Sequence, residues 1–166
     1  MSLRRWLRHL LLPDWAVNRV LPAAALARIE AAIGQTERRH RGQIRFAIEA
    51  TLHPLQLARG VTARERAIEV FSALRVWDTE ENNGVLLYLL LADHDVEIVA
   101  DRGIDRRAGG DAWGAVCSAV EAGLRAGRTE AALIDGIERI AGILQAHYPA
   151  AGPGRNELPD APALLR

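Results

Sequence analysis

The run Val85–Leu91 is apolar at every position, with the sequence VLLYLLL. It has the length of a β-strand, and an apolar run without alternation is typical of a strand that is covered on both faces. Such a strand needs helices above and below it. The run therefore predicts a layered α/β domain in which residues 85–91 form the central strand.

A second strand is predicted before the central one. Residues 44–52 alternate between apolar side chains and a mixed set that includes Arg45 and Glu49, which predicts a strand with one covered face. The capping-box sequence Thr62–Glu65 then begins a helix that ends near Val76. Because a helix lies between the two strands, we expect a parallel, right-handed crossover.

The central strand is also expected to have an antiparallel neighbour. Val96–Ala100 is apolar enough for a strand and follows Asp93–His94, which we interpret as a tight hairpin turn. One parallel and one antiparallel neighbour make the predicted sheet a mixed one.

The chain divides into an N-terminal helix, one domain and a tail. Residues 1–21 are predicted to contain an amphipathic helix at residues 3–11, which docks on its own domain or across a dimer. Weak contact with a membrane surface is the alternative for that helix. Residues 22–148 form the domain, and residues 149–166 are predicted to be a disordered tail rich in Pro and Gly. Further helices are expected from Pro22 to near Gly42, at 110–126 and at 129–146.

Composition limits the partners and the compartment. The 21 basic and 21 acidic residues cancel, so the positive field of nucleic-acid binders is missing and nucleic acid is not an expected partner. Cys117, the single cysteine, falls on the apolar side of its helix, which predicts an inert core residue and a reducing compartment. Leu10–Leu12 is too short for a signal-peptide core, and no segment has the length of a membrane span. We therefore expect a cytoplasmic protein.

Acidic and amide side chains precede the central strand and follow its hairpin partner. With Asp93–His94 as the turn, Leu86 is expected opposite Asp101 and Gly84 opposite Gly103, which brings two loops to one rim of the sheet. Carboxylates at this density repel one another unless a cation lies among them, and oxygen ligands suit Ca²⁺ or Mg²⁺. The predicted ligands are Asp78, Glu81, Asn82, Asn83, Asp101, Asp105 and Asp111, with Glu80 beside them. The alternative is a solvated loop that only turns the chain into the strand.

The opposite rim of the sheet offers a competing site. There His53 and His94 would bind a borderline metal such as Zn²⁺ or act as acid and base. The alternative is that residues 93–95 are an ordinary hairpin turn. The other histidines, which we expect at exposed positions without a special role, are His9, His40 and His147.

Two segments of the sequence carry a resemblance to a known family. They are the strand entry Asn82–Leu87, with the sequence NNGVLL, and the segment Asp95–Ile104, with the sequence DVEIVADRGI. Both resemble the TPM domain family, named for thylakoid lumen, photosystem II repair and MOLO proteins. Together with the order of the helices, the resemblance covers about residues 22–147. It implies a three-layer α/β/α sandwich with a small mixed β-sheet flanked by helices.

The resemblance also has implications for function. Some members of the family hold a calcium ion near the sheet loops, and a plant member is described as an acid phosphatase. The positions carried over to this chain are Asn82, Asn83, Gly84, Asp101 and Gly103. Many relatives are exported or membrane-anchored, whereas this sequence shows no signal peptide.

Two functions are compatible with these predictions. The favoured one is a non-catalytic, cation-stabilised adaptor that binds another protein, through the Leu and Trp side chains of residues 3–11. The alternative is a metal-dependent phosphohydrolase in which Arg102 or Arg106 binds the phosphate. No Ser-His-Asp spacing, phosphate loop or dinucleotide fingerprint occurs in the sequence, so the residues favour the adaptor.

Overall fold

The computed structural model describes residues 3–13, 15–152 and 155–165. The parts of the predicted N-terminal segment and tail that fall on residues 1–2, 14, 153–154 and 166 lie outside the described residues. The helices are α1 (Leu3–Leu11), α2 (Ala16–Val20), α3 (Ala23–Thr36), α4 (Pro54–Ala58), α5 (Ala63–Ala73), α6 (Arg102–Ala108), α7 (Gly110–Arg125) and α8 (Thr129–His147). The strands are β1 (Gln43–Glu49), β2 (Gly84–Leu90), β3 (Asp95–Ala100) and β4 (Ala163–Leu165).

The strands form one mixed sheet in the order β3-β2-β1-β4. Strands β1 and β2 are parallel, and the chain crosses between them through α4 and α5. Strand β3 runs antiparallel to β2, whereas β4 runs parallel to β1. The predicted central strand, its parallel crossover and its hairpin partner are therefore confirmed.

Helices cover both faces of the sheet, which confirms the three-layer sandwich. Alternate residues of β2 point to opposite layers, because successive side chains of a strand leave on opposite faces. Val85, Leu87 and Leu89 pack in the larger core under α3, α7 and α8. Leu86, Tyr88 and Leu90 pack in the second core under α4 and α5.

The hairpin register differs from the prediction by two residues. Val85 pairs with Ala100, and Leu90 pairs with Asp95, so the backbone N–H of Asp101 donates to the Gly84 carbonyl at 2.8 Å. The reason is a longer turn: a 3₁₀ turn follows β2, and His94 adopts a left-handed conformation with φ of 51°. A shift of two residues preserves the face on which each side chain lies.

Strand β1 is covered on both faces, although its sequence predicts one open face. Glu49 is 2% exposed, and both of its carboxylate oxygens accept hydrogen bonds from Arg66 of α5, at 2.8 and 2.9 Å. The Tyr88 hydroxyl donates to the same carboxylate at 2.7 Å. Burial, and then the charge of Glu49, raises the pKa of Tyr88. An alternating pattern does not reveal that a distant arginine pairs with an inward-facing glutamate.

Residues 155–165, expected within a disordered tail, instead lie along the sheet and end in β4. The side-chain oxygen of Gln43 accepts from the N–H groups of Glu157 and Leu158, at 2.7 and 3.0 Å. Arg45 donates to two carbonyl oxygens of the same segment. The partners that hold the segment therefore belong to β1, more than a hundred positions away in the chain, where periodicity within the segment gives no sign of them.

Candidate functional site

The structure brings the two predicted loops together at the start of β2. We define the loop corner as residues 79–83 together with residues 101–104. The N–H of Ile104 donates to the Asn82 carbonyl at 3.2 Å. A Cβ atom at Gly103 would collide with the carbonyl oxygens of Asn82 and Glu81, which explains the glycine. The juxtaposition of the loops agrees with the prediction, despite the different register.

Asn83 is buried in the loop corner, and its side-chain oxygen is left unsatisfied by the described residues. The residue is only 1% exposed, and its side-chain Nδ2 donates to the Arg41 carbonyl at 3.0 Å. Because a carbonyl can only accept, this contact fixes which way the amide points. Its Oδ1 is buried and has no hydrogen-bond partner among the residues that the structure describes.

Asp101 presents a second oxygen of the same kind. It is the N-cap residue of α6, and its Oδ1 accepts from the Arg102 N–H at 2.7 Å. The residue is 5% exposed, and its Oδ2 is buried without a hydrogen-bond partner in the described part of the chain. A buried acceptor without a partner costs about 1–3 kcal/mol. Two such oxygens, one from an amide and one from a carboxylate, fit the ligand chemistry of a hard divalent cation.

The other predicted ligands of the same two loops have partners within the protein or point to solvent. Glu81 forms a salt bridge with Arg41. Asp105 accepts a hydrogen bond from Trp113 Nε1 at 3.1 Å. Their negative charge is thus met by donors that the sequence pattern does not identify as neighbours.

The remaining predicted ligands lie at the surface. The Asp78 side chain is 58% exposed, 4.0 Å from Arg75, and Glu80, Asn82 and Asp111 are exposed too. Asn82 has a left-handed backbone with φ of 52°, which suits an asparagine at a turn. Within the described ranges, no group of three or more His, Cys, Asp or Glu side chains is placed to hold a metal ion. The structure therefore does not assemble the predicted set of carboxylates, and Asn83 and Asp101 are the predicted ligands whose side-chain oxygens are buried without a partner among the described residues.

The competing rim does not pair its histidines either. His53 is the N-cap residue of α4, and its Nδ1 accepts from the Leu55 N–H at 3.2 Å. His94 is exposed in the turn after β2. Asp93 is occupied by Arg5 and Arg8 of α1, at 2.9 and 3.2 Å. This rim anchors α1, which is a structural role.

A polar hollow of about 510 Å³ adjoins the loop corner, and sequence analysis did not find it. Its lining includes Glu37 and His40, Glu80 and Glu81, and four residues of the C-terminal segment, which are Arg155, Asn156, Glu157 and Asp160. Burial raises the pKa of Glu37 to about 7 and lowers the pKa of His40 to about 4. His40 is 2% exposed, contrary to expectation. Because the lining comes from distant parts of the chain, no local motif marks the hollow.

Cys117 has the character of a structural residue. It is half-buried against the larger core, and burial raises the pKa of its thiol to about 11. A thiol that stays protonated near neutral pH is a poor nucleophile.

The described helices include none with both the length and the apolar character required to cross a membrane. The cytoplasmic location expected from the sequence stays a prediction.

Comparisons with known proteins agree with this architecture. Among solved structures, the chain is similar to the BA42 protein of the psychrophilic bacterium Bizionia argentinensis, at 28% identity and a TM-score of 0.78, over 87% of this chain and 95% of that one. It shares its fold with the N-terminal domain of a protein from P. gingivalis, at 13% identity and a TM-score of 0.63, over 81% of this chain and 89% of that domain. No curated protein matches the sequence. A family model described as the TPM domain matches residues 17–143, and the chain therefore belongs to the TPM domain family.

Proposed function

We propose that this chain is a non-catalytic interaction domain that binds a divalent cation, Ca²⁺ or Mg²⁺, at the loop corner. The observation that carries the proposal is that two oxygens of the loop corner, Asn83 Oδ1 and Asp101 Oδ2, are buried without partners among the described residues. A cation would satisfy both oxygens and would offset the buried charge of Asp101. Water molecules and exposed groups of the same loops, such as Asp78, would complete the coordination.

The proposed partner is another protein, and the polar hollow is the surface we assign to it. The hollow shares Glu80 and Glu81 with the loop that carries Asn83. A cation that fixes this loop would also fix one wall of the hollow, so cation and partner would bind more tightly together than separately. Salt bridges such as Arg41 to Glu81, at the edge of the hollow, supply both signs of charge for a polar interface.

A metal-dependent phosphohydrolase is the alternative proposal. Its support is the placement of Arg102 and Arg106 on α6, the helix capped by Asp101, where both side chains are exposed. An arginine in that position would hold a phosphate against a cation at the loop corner. Turnover of a generic phosphomonoester that requires both Asp101 and Arg102 would favour this alternative over the interaction domain.

The cation proposal is tested by NMR during titration with Ca²⁺ and, separately, with Mg²⁺. We expect the amide signals of Asn83, Asp101 and Ile104 to shift, and the melting temperature to rise as the cation binds the folded state. Asp101→Asn keeps the capping oxygen but removes the charge, so it should weaken cation binding by at least about tenfold. Asp111→Asn, an exposed acid, is the matched control and should titrate like the wild type. Absence of any response to either cation at millimolar concentration would contradict the proposal.

The interaction role needs a separate measurement. Proteins captured from a cell extract in the presence of the cation should include one that is lost with Asp101→Asn and retained with Asp111→Asn. Capture that is the same with and without cation would contradict the proposed linkage while leaving the cation site itself to the titration.

A further inference from the structure

Helix α1 docks on the domain through its polar side. Arg5 donates to Asp93 at 2.9 Å and to the Val61 carbonyl at 2.9 Å. His9, expected to be exposed, is 4% exposed, and its Nδ1 accepts from the Leu52 N–H at 3.0 Å. The helix is therefore held in place by hydrogen bonds of its polar residues and by Trp6, which packs against the second core.

This docking leaves the leucines of α1 facing solvent. We define the leucine face as Leu3, Leu7, Leu10 and Leu11, which are 76%, 47%, 59% and 76% exposed. Trp15, just beyond the helix, is 59% exposed. Water-facing leucines on successive turns contribute nothing to the core, and a contiguous apolar surface of this kind marks a site of association.

The charge around the leucine face is positive. Helix α1 contains three arginines and no acidic residue. Arg4 is exposed, and the Arg8 side chain is 51% exposed even though it reaches Asp93. A hollow of about 410 Å³ continues the face towards α2, and the described residues of its lining are apolar apart from Arg8 and His94.

We infer that the leucine face binds a lipid surface that carries anionic headgroups. A helix with leucines on one side and arginines beside them lies in the plane of a membrane, with its apolar side at the boundary between headgroups and acyl chains. Arg4 and Arg8 would then meet lipid phosphates. The polar side of α1 stays fixed to the domain, so the helix is already ordered before it meets the membrane.

The inference is independent of the proposed function. The leucine face lies where β2 ends and β3 begins, because α1 contacts the turn at Asp93. The loop corner lies at the other end of the same two strands, where the Asp101 N–H meets Gly84. A variant at one site therefore leaves the other available for its own assay.

Co-sedimentation of the full chain with vesicles tests the inference. We expect binding to vesicles of phosphatidylcholine mixed with phosphatidylglycerol to be at least about tenfold tighter than to phosphatidylcholine alone, and to weaken with added salt. The double substitution Leu7→Glu with Leu11→Glu should reduce binding to the mixed vesicles by at least about tenfold. Arg4→Gln should reduce it by about fivefold.

The matched control is Ile68→Glu on α5, because Ile68 is 47% exposed, as Leu7 is. It should bind the mixed vesicles like the wild type, and circular dichroism should show that all variants are folded. Equal sedimentation with both kinds of vesicle, or no loss of binding in the double variant, would overturn the inference. A dimer in light scattering that the double variant dissociates would also overturn it, because a second copy would then cover the leucine face.

Discussion

The buried contact between Arg66 and Glu49 makes a strong prediction about stability. Replacing Arg66 by methionine removes both hydrogen bonds to a carboxylate whose side chain is 3% exposed, leaving it with the Tyr88 hydroxyl. A buried charge that loses its partner keeps the cost of desolvation without the compensating attraction. The variant should therefore be destabilised even though methionine fits the apolar surroundings of the arginine stem.

The size of the effect follows from the burial of the two side chains. Breaking a fully buried ion pair costs about 3–5 kcal/mol, and we expect about 3 kcal/mol here because water reaches Arg66. Its side chain is 21% exposed and also contacts Glu69 at 3.0 Å. For a domain of this size, a loss of about 3 kcal/mol lowers the melting temperature by about 6–12 °C.

Unfolding by urea, followed by circular dichroism, measures this loss as a change in the free energy of unfolding. The control is Arg139→Met, which breaks a pair with Asp135 in which both side chains are 53% exposed, and it should cost no more than about 0.5 kcal/mol. Adding Glu49→Leu to Arg66→Met removes the stranded charge and should recover most of the stability. The reasoning is refuted if Arg66→Met costs no more than Arg139→Met, or if the double variant is no better than the single one.

Three further predictions concern the region around the loop corner. Because the pKa of Glu37 is raised in the folded protein, the folded protein keeps a proton on Glu37 that the unfolded chain has already released. This proton uptake stabilises the folded state at low pH, and the stabilisation is lost as pH rises through about 7. Between pH 7 and pH 5 the free energy of unfolding of the wild type should rise relative to Glu37→Gln by up to about 2 kcal/mol, and an unchanging difference in urea melts would contradict this. The lowered pKa of His40, to about 4, acts in the opposite direction, so stability is lost as pH falls below about 6.5 and the wild type should vary little over this range. Gly103→Ala should cost about 1–3 kcal/mol because the new methyl group meets two carbonyl oxygens. Gly114→Ala, inside α7 with open space around it, should instead stabilise the protein by about 0.5–1 kcal/mol in the same melts. Gln43→Ala removes the acceptor of two N–H groups and should raise the rate of amide hydrogen exchange at Glu157 and Leu158; unchanged exchange would show that the segment is held by other contacts.

The sequence predicts the elements whose signal is local. Val85–Leu91 is recognisable as a buried strand because each of its residues is apolar, and Thr62–Glu65 begins α5 because the capping box is contained in four positions. The hairpin register was harder to predict, because the same sequence is compatible with a turn of two residues and with a longer turn that ends in a left-handed His94. The difference is a matter of turn geometry, and Asp93 of that turn pairs with Arg5 of α1, a distant residue.

The parts that sequence analysis missed depend on contacts between distant residues. The sequence around Glu49 does not indicate that Arg66 is its partner, and the sequence of residues 155–165 does not indicate that Gln43 holds this segment. The same holds for the loop corner, where the acidic character of the loops is visible in the sequence but the partners Arg41 and Trp113 are not. Counting acids therefore overestimates the number of free ligands, because each acid that finds a donor leaves the candidate set.

Strand β4 has a consequence for how copies of this protein behave in solution. It occupies the outer side of β1 over three positions, at Ala47, Ile48 and Glu49. Without it, β1 would offer a row of unsatisfied N–H and C=O groups, which is the usual template on which one molecule adds to the next and aggregates. A shortened chain that stops before Ala163 should keep its core packing and yet precipitate more readily, so its loss of solubility would precede any loss of folding.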